Sequence, residues 1–275
     1  MSELLRPAQR EDLAWLWPAA RSSQMFDDIH ELEAFWAEAP WRVRVDARGE
    51  AAVLVRWREH LDIVAIKGLW CAERRVPLLL EDLRIVARQQ GFGRVLSPLL
   101  PEEAARPYLE DGMVPVQDLI VLRLSLRGRQ PLLSAADAGD VALRVGSAED
   151  IDTVLGIDAV AFEDFWRYDR RMLARYIAGE RLGMAAVNGE VVGYTLCTVR
   201  RGEGSLGRLA VRPEWQGRGI GALLLEDAAS YLERERAERV TLCTQSENLR
   251  SRRLYGNAGF EEVPGRLLGL ITGSL

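Results

Sequence analysis

The chain has few of the residues that build metal centres and disulfide frameworks. Its 275 residues include two histidines and three cysteines. Cys71, Cys197 and Cys243 are far apart and show no Cys-x-x-Cys or Cys/His spacing, so neither a zinc site nor a disulfide framework is predicted. We therefore expect no metal, and free thiols fit a reducing cytoplasm.

The sequence also lacks a surplus of basic residues and any long hydrophobic run. A formal net charge of −5 provides no positive field that would attract nucleic acid. No stretch of about 18 uncharged apolar residues occurs, and no apolar segment follows a basic stretch near the start. We expect a cytoplasmic protein without nucleic-acid or membrane partners; the sequence does not indicate an oligomeric state.

Three pairs of segments recur in the same order along the chain. "LRPAQREDL" and "LRVGSAEDI" place Asp12 and Asp150 in equivalent positions. "PLLLED" parallels "ALLLED", and "YLEDGM" parallels "YGNAGF", so that Tyr108 corresponds to Tyr255. A repeat of this length indicates duplication of a whole domain rather than a solenoid.

The two predicted domains are residues 1–130 and residues 141–275. The boundary is expected in the segment 127–140, which is rich in small residues and follows the strand-like "LIVLRLSL". The second repeated pair also aligns Trp70 with Trp215. In this alignment, residues 71–76 of the first half correspond to residues 216–221 of the second.

The second half reads as alternating helices and strands. "GMAAVNGEVVGYTLCTV" predicts a hairpin that turns at Asn188-Gly189, a pair favoured in type I′ turns. "SLGRLAV" and "RVTLCT" are strand-like, with an amphipathic helix between them at residues 219–236. The pattern predicts an α+β (α/β) fold in which helices flank a mixed, mostly antiparallel sheet.

A glycine-rich loop, "LAVRPEWQGRGIG", stands between that strand and helix. Gly217, Gly219 and Gly221 let the backbone bend tightly with its N–H groups exposed. The helix that follows adds unpaired N–H groups and the positive end of its dipole, which suits a diphosphate. The alternative is a simple strand-to-helix turn. A Rossmann fingerprint is disfavoured because "RVTLCTQ" ends without an acidic residue.

"QGRGIG" followed by "NLRSRRLYGNAGF" resembles the GCN5-related N-acetyltransferase (GNAT) family. The resemblance covers residues 141–275 and departs mainly at Ser251, where alanine is commoner in the family. It implies a GNAT fold, acetyl-CoA as cosubstrate and Tyr255 as general acid. It implies that the backbone of Leu209, Ala210 and Val211 and the side chain of Asn248 bind the pantetheine arm. It implies pyrophosphate contacts by Gln216, Gly217, Arg218, Gly219, Ile220 and Gly221.

The sequence offers several candidates for the general base and the acceptor site. Glu203, near the strand that carries the base in many members of the family, is the first candidate, and Glu163 and Asp164 are alternatives. His30 and His60 lie in the other half, which disfavours a histidine base. Phe162 and Trp166, together with Phe165 and Tyr168, form an aromatic cluster where the family binds its acceptor; packing in the core is the alternative role.

The first half keeps the repeat but not the glycines. In the alignment through Trp70, Cys71, Arg74 and Val76 stand where the second half has Gln216, Gly219 and Gly221. A loop without these glycines cannot approach a diphosphate closely. We therefore interpret residues 1–130 as a degenerate GNAT-like domain without a cofactor loop.

The resemblance implies an N-acetyltransferase that acts on a primary amine. The acceptor is a small molecule or a peptide N-terminus. The tandem arrangement is similar to mycothiol synthase, whereas "AFEDFW" and "NGEVVGYTL" are closer to enzymes that acetylate ribosomal-protein N-termini. A regulatory protein that binds acyl-CoA without turnover is the alternative.

Overall fold

The computed structural model describes residues 4–23, 25–26, 28–58, 60, 62–129 and 140–275. The chain forms two compact units: unit 1 is Met1–Asp118 with Arg266–Leu275, and unit 2 is Leu119–Gly265. Residues 130–139, most of the predicted boundary segment, lie outside the described residues.

Unit 1 carries its helices on a mixed sheet. Its helices are α1 (Asp12–Ser22), α2 (Ile29–Glu38), α3 (Val76–Gln89) and α4 (Glu102–Glu110). Its strands are β1 (Arg6–Pro7), β2 (Val43–Val45), β3 (Ala51–Arg56), β4 (Ile63–Trp70), β5 (Arg94–Leu96) and β6 (Leu100–Pro101), with parts of β7 (Val114–Ser125) and β13 (Glu261–Ile271). The strand order is β1-β2-β3-β4-β5-β13, and β6 also pairs with β13. Among the strand pairs described in unit 1, β4 and β5 are parallel, and α3 makes the crossover that a parallel pair requires.

Unit 2 repeats this order. Its helices are α5 (Ile151–Ala161), α6 (Arg170–Gly179), α7 (Ile220–Arg234) and α8 (Leu249–Asn257). Its strands are β8 (Val141–Val145), β9 (Arg181–Val187), β10 (Glu190–Arg200), β11 (Glu203–Val211) and β12 (Arg239–Gln245), with the other part of β7. They are ordered β8-β9-β10-β11-β12-β7, and α7 crosses between the parallel strands β11 and β12. The tandem α+β fold predicted from the sequence is confirmed.

The two units do not divide the chain at the predicted boundary of residues 130 and 141. Residues 119–125 of β7, from the first half, pair with β12 and belong to unit 2. Residues 266–271 of β13, from the end of the chain, belong to unit 1, where Ile271 pairs with Leu96. Each half thus ends in a strand that completes the sheet of the other unit. The functional assignment of the two halves stays a prediction.

The duplication extends to individual side chains. Arg6 donates two hydrogen bonds to the carboxylate of Asp12, and Arg144 donates two to that of Asp150. In each case the carboxylate also accepts a backbone N–H three residues earlier. In unit 1 the Arg6 guanidinium lowers the pKa of Asp12 to about 2. The same strand-to-helix connection is therefore built twice.

One detail of the sequence alignment is wrong. Trp70 ends the strand β4, whereas Trp215 lies in a 3₁₀ turn after β11, so the two tryptophans are not equivalent. The loop between β4 and α3 runs over residues 71–75, and the loop between β11 and α7 over residues 212–219. The first loop is shorter because it lacks the glycine-rich excursion. Residues 71–75 contain no glycine, so unit 1 lacks such a loop whichever tryptophans are aligned.

Helices cover both faces of the unit 2 sheet. On one face, here called the α7 face, Leu206, Tyr255 and Phe260 pack in a cluster with residues of α7. On the other, the α5 face, Val154, Leu173 and Tyr194 pack together. The predicted hairpin is confirmed: β9 and β10 are joined by Asn188 and Gly189, which have φ values of 51° and 84°. No helix among the described residues is long and apolar enough to cross a membrane.

Candidate active site

The parallel strands β11 and β12 separate part-way along their length. Pairing joins Glu203, Gly204 and Ser205 to residues 239–241. Beyond Ser205 no pairing joins these two fully described strands, so the β12-facing edge of residues 206–211 is open. Leu196 and Cys197 of β10 are adjacent, but they pair with Arg208 and Leu206, so Gly207 is an extra residue that forms a bulge. This bulge lies where the two strands separate. An extra residue bends a strand and increases its twist, which accounts for the opening.

The predicted cofactor residues Leu209, Ala210 and Val211 lie on the open part of β11. Ala210 and Val211 are buried, and Leu209 is half-buried. Their side chains pack within unit 2. The backbone groups of Leu209 and Val211 point toward the gap between the strands, whereas Ala210 pairs with Tyr194 of β10. The predicted role of these residues in binding the cofactor through their backbone stays a prediction.

The glycine-rich loop follows at the end of β11. Gly217 and Gly219 both have φ of 81°, the left-handed conformation that glycine adopts without strain. Gly219 is the N-cap of α7. Within the described part of the chain, the backbone N–H groups of residues 217–221 donate no hydrogen bond to a protein acceptor. A Cβ built on Gly217 or Gly219 would meet nothing within 4 Å, so the loop borders open space.

Gln216 holds this loop in place. Its Nε2 donates a 2.9 Å hydrogen bond to the carbonyl of Val211, and its Oε1 accepts from Arg250. Arg250 lies in the first turn of α8. Gln216 therefore links the end of β11 to the helix that carries Tyr255.

The other loop residues have more local contacts. Arg218 stacks on the ring of Trp215 at 4.6 Å and donates to the Glu214 carbonyl. The Ile220 side chain is buried, and Gly221 leaves room for Leu254, which would lie 3.4 Å from an added Cβ. Only Arg218 carries a charge toward solvent.

Asn248 and Tyr255 lie at the two ends of α8. The side-chain oxygen of Asn248 accepts the N–H of Ser251 at 3.0 Å and so caps the helix. Tyr255 is 7% exposed, with its ring 5.7 Å from that of Phe260. Burial raises the pKa of Tyr255 to about 12, so the phenol keeps its proton at neutral pH.

Glu203 lies at the paired end of β11, away from the opening. Its carboxylate accepts hydrogen bonds from Arg239 of β12, with Nε at 2.6 Å and 2.8 Å from the two oxygens. Arg239 lowers the pKa of Glu203. This exposed ion pair gives Glu203 little tendency to take a proton, and its proposed role as base stays an untested prediction.

The predicted aromatic cluster surrounds a buried charge. Arg208 stacks against the rings of Phe162 and Tyr168, at 3.4 Å and 4.2 Å from their centroids. Its guanidinium also donates to the Trp166 carbonyl at 2.8 Å. Phe165 packs edge-on against Trp166. The cluster thus encloses Arg208 on the α5 face.

The acidic candidates beside the cluster are exposed. Glu163 precedes a short 3₁₀ turn, and Asp164 forms an ion pair with Arg167. Phe162, Glu163 and Trp166 therefore share one short connection between α5 and α6, but only the two aromatic residues contact Arg208. Their role in acceptor binding stays a prediction.

Known proteins share this sequence pattern. The acetyltransferase (GNAT) family profile matches residues 151–260. An uncharacterized N-acetyltransferase of Archaeoglobus fulgidus is 32% identical over 118 residues, which are 39% of this chain and 78% of that protein. The chain belongs to the acetyltransferase (GNAT) family. This membership confirms the resemblance that the motifs indicated.

Other comparisons place the whole chain within the GNAT fold. A mycothiol acetyltransferase of Tsukamurella paurometabola is 29% identical over 184 residues, 60% of this chain and 62% of that protein. The chain therefore matches less than two thirds of the length of that relative. A crystal structure of a GCN5-related N-acetyltransferase from Sphaerobacter thermophilus has a TM-score of 0.66 and 19% identity, and covers 98% of this chain and 97% of its own.

Three residues of this GNAT chain that shape the site were missed in the sequence. Arg250 contacts Gln216, and Asp158 and Arg208 form a buried ion pair. The sequence held a signal for the pair, since Asp158 and Arg208 each interrupt an apolar segment, "VLGIDAVAF" and "SLGRLAV". Charged residues are rarely fully buried unless they are paired.

Proposed function

We propose that the protein is an acetyl-CoA-dependent N-acetyltransferase whose catalytic site lies in unit 2. The observation that carries the proposal is the run of free N–H groups over residues 217–221, beside the opening between β11 and β12. Successive N–H groups at a helix N-terminus bind phosphate through hydrogen bonds and the helix dipole.

The residues present fit acetyl-CoA. Gly217 and Gly219 leave the loop without side chains, so a diphosphate can reach its N–H groups. The open edge of β11 provides the backbone groups of Leu209 and the N–H of Val211 for the amides of the pantetheine arm, while the Val211 carbonyl accepts from Gln216. Asn248, at the start of α8, is close in sequence to Arg250, which contacts the loop. Bound there, acetyl-CoA supplies a thioester that an amine can attack.

Tyr255 is proposed as the acid that protonates the leaving thiolate. A pKa of about 12 keeps the phenol protonated, so the donor form is present at every ordinary pH. Because a thiol has a pKa of about 8.5 in water, the transfer to sulfur is uphill and must accompany cleavage of the C–S bond. Backbone N–H groups on the open edge of β11 are suited to stabilise the carbonyl oxygen as it becomes negative.

Unit 1 is proposed to have lost this chemistry. Residues 71–75, its equivalent loop, contain no glycine, and Arg75 is held by the carboxylate of Glu50 through several hydrogen bonds. Tyr108 corresponds to Tyr255 and is also buried. We therefore expect one acetyl-CoA site per chain, in unit 2.

A matched pair of glycine variants tests the site. Gly219→Glu places a carboxylate against the proposed diphosphate and should reduce acetyl-CoA affinity by roughly 10²-fold or more, measured by calorimetry. Gly202→Glu is the control: Gly202 has φ of 79°, similar open space and a place in the turn before β11. Because both glycines have the same left-handed φ, the two variants carry the same backbone strain and differ only in where the added carboxylate lies. Equal affinity in both variants would show that acetyl-CoA does not use this loop.

The acceptor is proposed to be a primary amine, either a small molecule or a peptide N-terminus. Release of CoA thiol can be measured with amine and peptide acceptors in parallel. A protein that binds acetyl-CoA at one site but acetylates no amine would instead support the alternative function of a regulatory acyl-CoA-binding protein.

A further inference from the structure

The carboxylate of Glu180 in unit 2 belongs neither to the packing of the fold nor to the glycine-rich loop. Glu180 stands between the end of α6 and the start of β9. A Cβ built on Gly207 would lie 3.6 Å from Glu180 Oε2. Since β10 lies between β9 and β11, the Glu180 side chain reaches across one whole strand to the bulge.

The register shows which face of the sheet Glu180 occupies. Arg181 pairs with Cys197 and contacts Asp227 of α7, so its side chain lies on the α7 face. Leu182 pairs with Leu196 and packs in the α5-face cluster. Because alternate residues of a strand share a face, Glu180 lies with Leu182 on the α5 face.

Tyr255 lies on the opposite side. It packs in the α7-face cluster with Leu206, the residue just before the bulge. The opening between β11 and β12 begins after Ser205, which is two residues before Gly207. Glu180 and Tyr255 therefore lie on opposite faces of the sheet, at the level where the two strands separate.

The carboxylate is also available for a ligand. Glu180 is half-buried, and Gly207 is exposed beneath it. No hydrogen bond or ion pair of the Glu180 carboxylate is found within the described residues. A half-buried carboxylate without a hydrogen-bond donor is well placed to receive a cation, because its remaining solvation is poor.

From this geometry we propose that Glu180 binds the ammonium group of the acceptor and takes its proton. The assignment rests on the proposed function, and it names cationic primary amines as the substrate class. The acceptor approaches from the α5 face, and the thiolate leaves on the α7 face, where Tyr255 lies. Glu180, rather than Glu203, is then the base.

The proton balance of the reaction is complete with these two groups. Glu180 takes one proton from the ammonium, and the nitrogen lone pair forms a bond to the thioester carbonyl carbon. The C–S bond then breaks, and the sulfur takes the proton of the Tyr255 phenol. The nitrogen loses a second proton, which restores the phenol through water, and Glu180 releases its proton to solvent. The products are the amide, CoA thiol and one proton.

The charges around Glu180 suit this task. Burial raises its pKa above the ordinary value, and Arg200 of β10 partly opposes the shift. Nearby titratable groups include Cys197 of β10, whose pKa is raised by burial and also by the Glu180 carboxylate. They also include Arg181, which is paired with Asp227 on the opposite face. A raised pKa makes a carboxylate a stronger proton acceptor, nearer to the working pH of a general base.

Three variants test the assignment in the full chain. Glu180→Gln keeps the side-chain size but cannot take a proton; Glu180→Asp keeps the carboxylate; Glu235→Gln removes an exposed carboxylate at the end of α7 and is the control. The probes are spermidine, glucosamine and an alanyl tetrapeptide with a free N-terminus. Turnover is measured as CoA thiol release against pH, and amine and acetyl-CoA binding by calorimetry.

For the best acceptor of the three, Glu180→Gln should lower kcat/KM by roughly 10²-fold, the usual minimum for a positioned base. Its acetyl-CoA affinity and melting temperature should match the parent. The fall in rate toward acid pH that reports Glu180 should disappear, leaving only the titration of the amine. Glu180→Asp should restore part of the rate, and Glu235→Gln should match the parent.

Two results overturn the assignment. One is a Glu180→Gln variant that keeps the parental turnover and pH profile, or that keeps the parental affinity for the amine. The other is a parent protein that binds acetyl-CoA but neither binds nor acetylates any of the three amines. A parent that binds no acetyl-CoA contradicts the proposed function instead, so the two failures are distinguishable.

Discussion

Arg208 and Asp158 are joined by two hydrogen bonds of 2.9 Å in the interior of unit 2. Asp158 is 1% exposed and Arg208 is 8% exposed. Asp158 also accepts the hydroxyl of Tyr194 at 2.5 Å and the backbone N–H of Tyr168 at 2.8 Å. One ion pair thus joins α5, β10, β11 and the connection after α5.

Removing Arg208 should strongly destabilise the protein. Arg208→Leu leaves the Asp158 carboxylate buried without its cation, and breaking a buried pair in this way costs about 3–5 kcal/mol. Chemical denaturation measures the change. Arg127→Ala, which breaks the exposed pair with Glu238, is the control and should cost at most about 1 kcal/mol. Similar losses in both variants would show that burial does not determine the strength of the Arg208 pair.

Replacing Tyr255 by phenylalanine separates its chemistry from its packing. Tyr255→Phe keeps the ring beside Phe260 but removes the acid, so turnover should fall by roughly 10²-fold while acetyl-CoA affinity is kept. Tyr108→Phe changes the equivalent residue of unit 1 and should leave turnover unchanged. Full turnover in Tyr255→Phe would mean that water supplies the proton.

The pH dependence gives a second check on Tyr255. Its pKa is raised to about 12, so the protonated donor persists through neutral and moderately alkaline pH and is lost only near pH 12. Between pH 8 and roughly 10, we therefore expect deprotonation of Tyr255 to cause no decline in kcat/KM. Any decline in this range should occur equally in Tyr255→Phe. A decline in that range that is absent from the variant would show a phenol of much lower pKa.

Arg250 should support the cofactor loop without contacting the reacting atoms. Arg250→Ala removes the donor to Gln216, which positions the loop after Val211. Because Arg250 is exposed, we expect acetyl-CoA affinity to fall by no more than about tenfold, with little change in kcat. Arg253→Ala removes an exposed arginine of the same helix and is the matched control. If the two variants lose the same affinity, general charge rather than the Gln216 contact accounts for the effect.

The second half of the sequence should not fold well alone. A fragment of residues 136–275 lacks the part of β7 that pairs with β12. It also lacks the buried side chains of Ile120, Leu122 and Leu124 from the cluster that contains Tyr255. Each such side chain contributes roughly 1.5–3 kcal/mol when fully buried, which is comparable in sum with the stability of a whole domain.

The measurement is a thermal melt of this fragment beside the full chain. We expect low solubility, no cooperative transition and weak or absent acetyl-CoA binding. A soluble fragment with the melting temperature and affinity of the full chain would contradict the essential role of the β7 strand.

Much of unit 2 could be predicted from local sequence. Asn188-Gly189 predicted the hairpin because both residues adopt positive φ readily, and the structure shows that turn. The glycine loop was predicted because glycine permits the backbone angles found at Gly217 and Gly219. These features depend on a few neighbouring residues, and the repeat itself was visible because both copies keep the same local patterns.

Other features depended on contacts between distant residues. The exchange of β7 and β13, the separation of β11 from β12 and the bulge at Gly207 arise from strand pairing, which no short segment specifies. The ion pair of Asp158 with Arg208 joins residues 50 positions apart. No sequence motif marks Glu180, because its carboxylate reaches the bulge only through the pairing of β9, β10 and β11.

By itself, the sequence determined the duplicated α+β fold, the GNAT motifs and the loop suited to a diphosphate, because backbone preferences and hydrophobic periodicity act over short distances. The tertiary structure alone decided which strands complete each sheet, which charges are buried and which carboxylate lies opposite Tyr255. Those outcomes depend on long-range pairing and burial, whose energies exist only once the chain has folded.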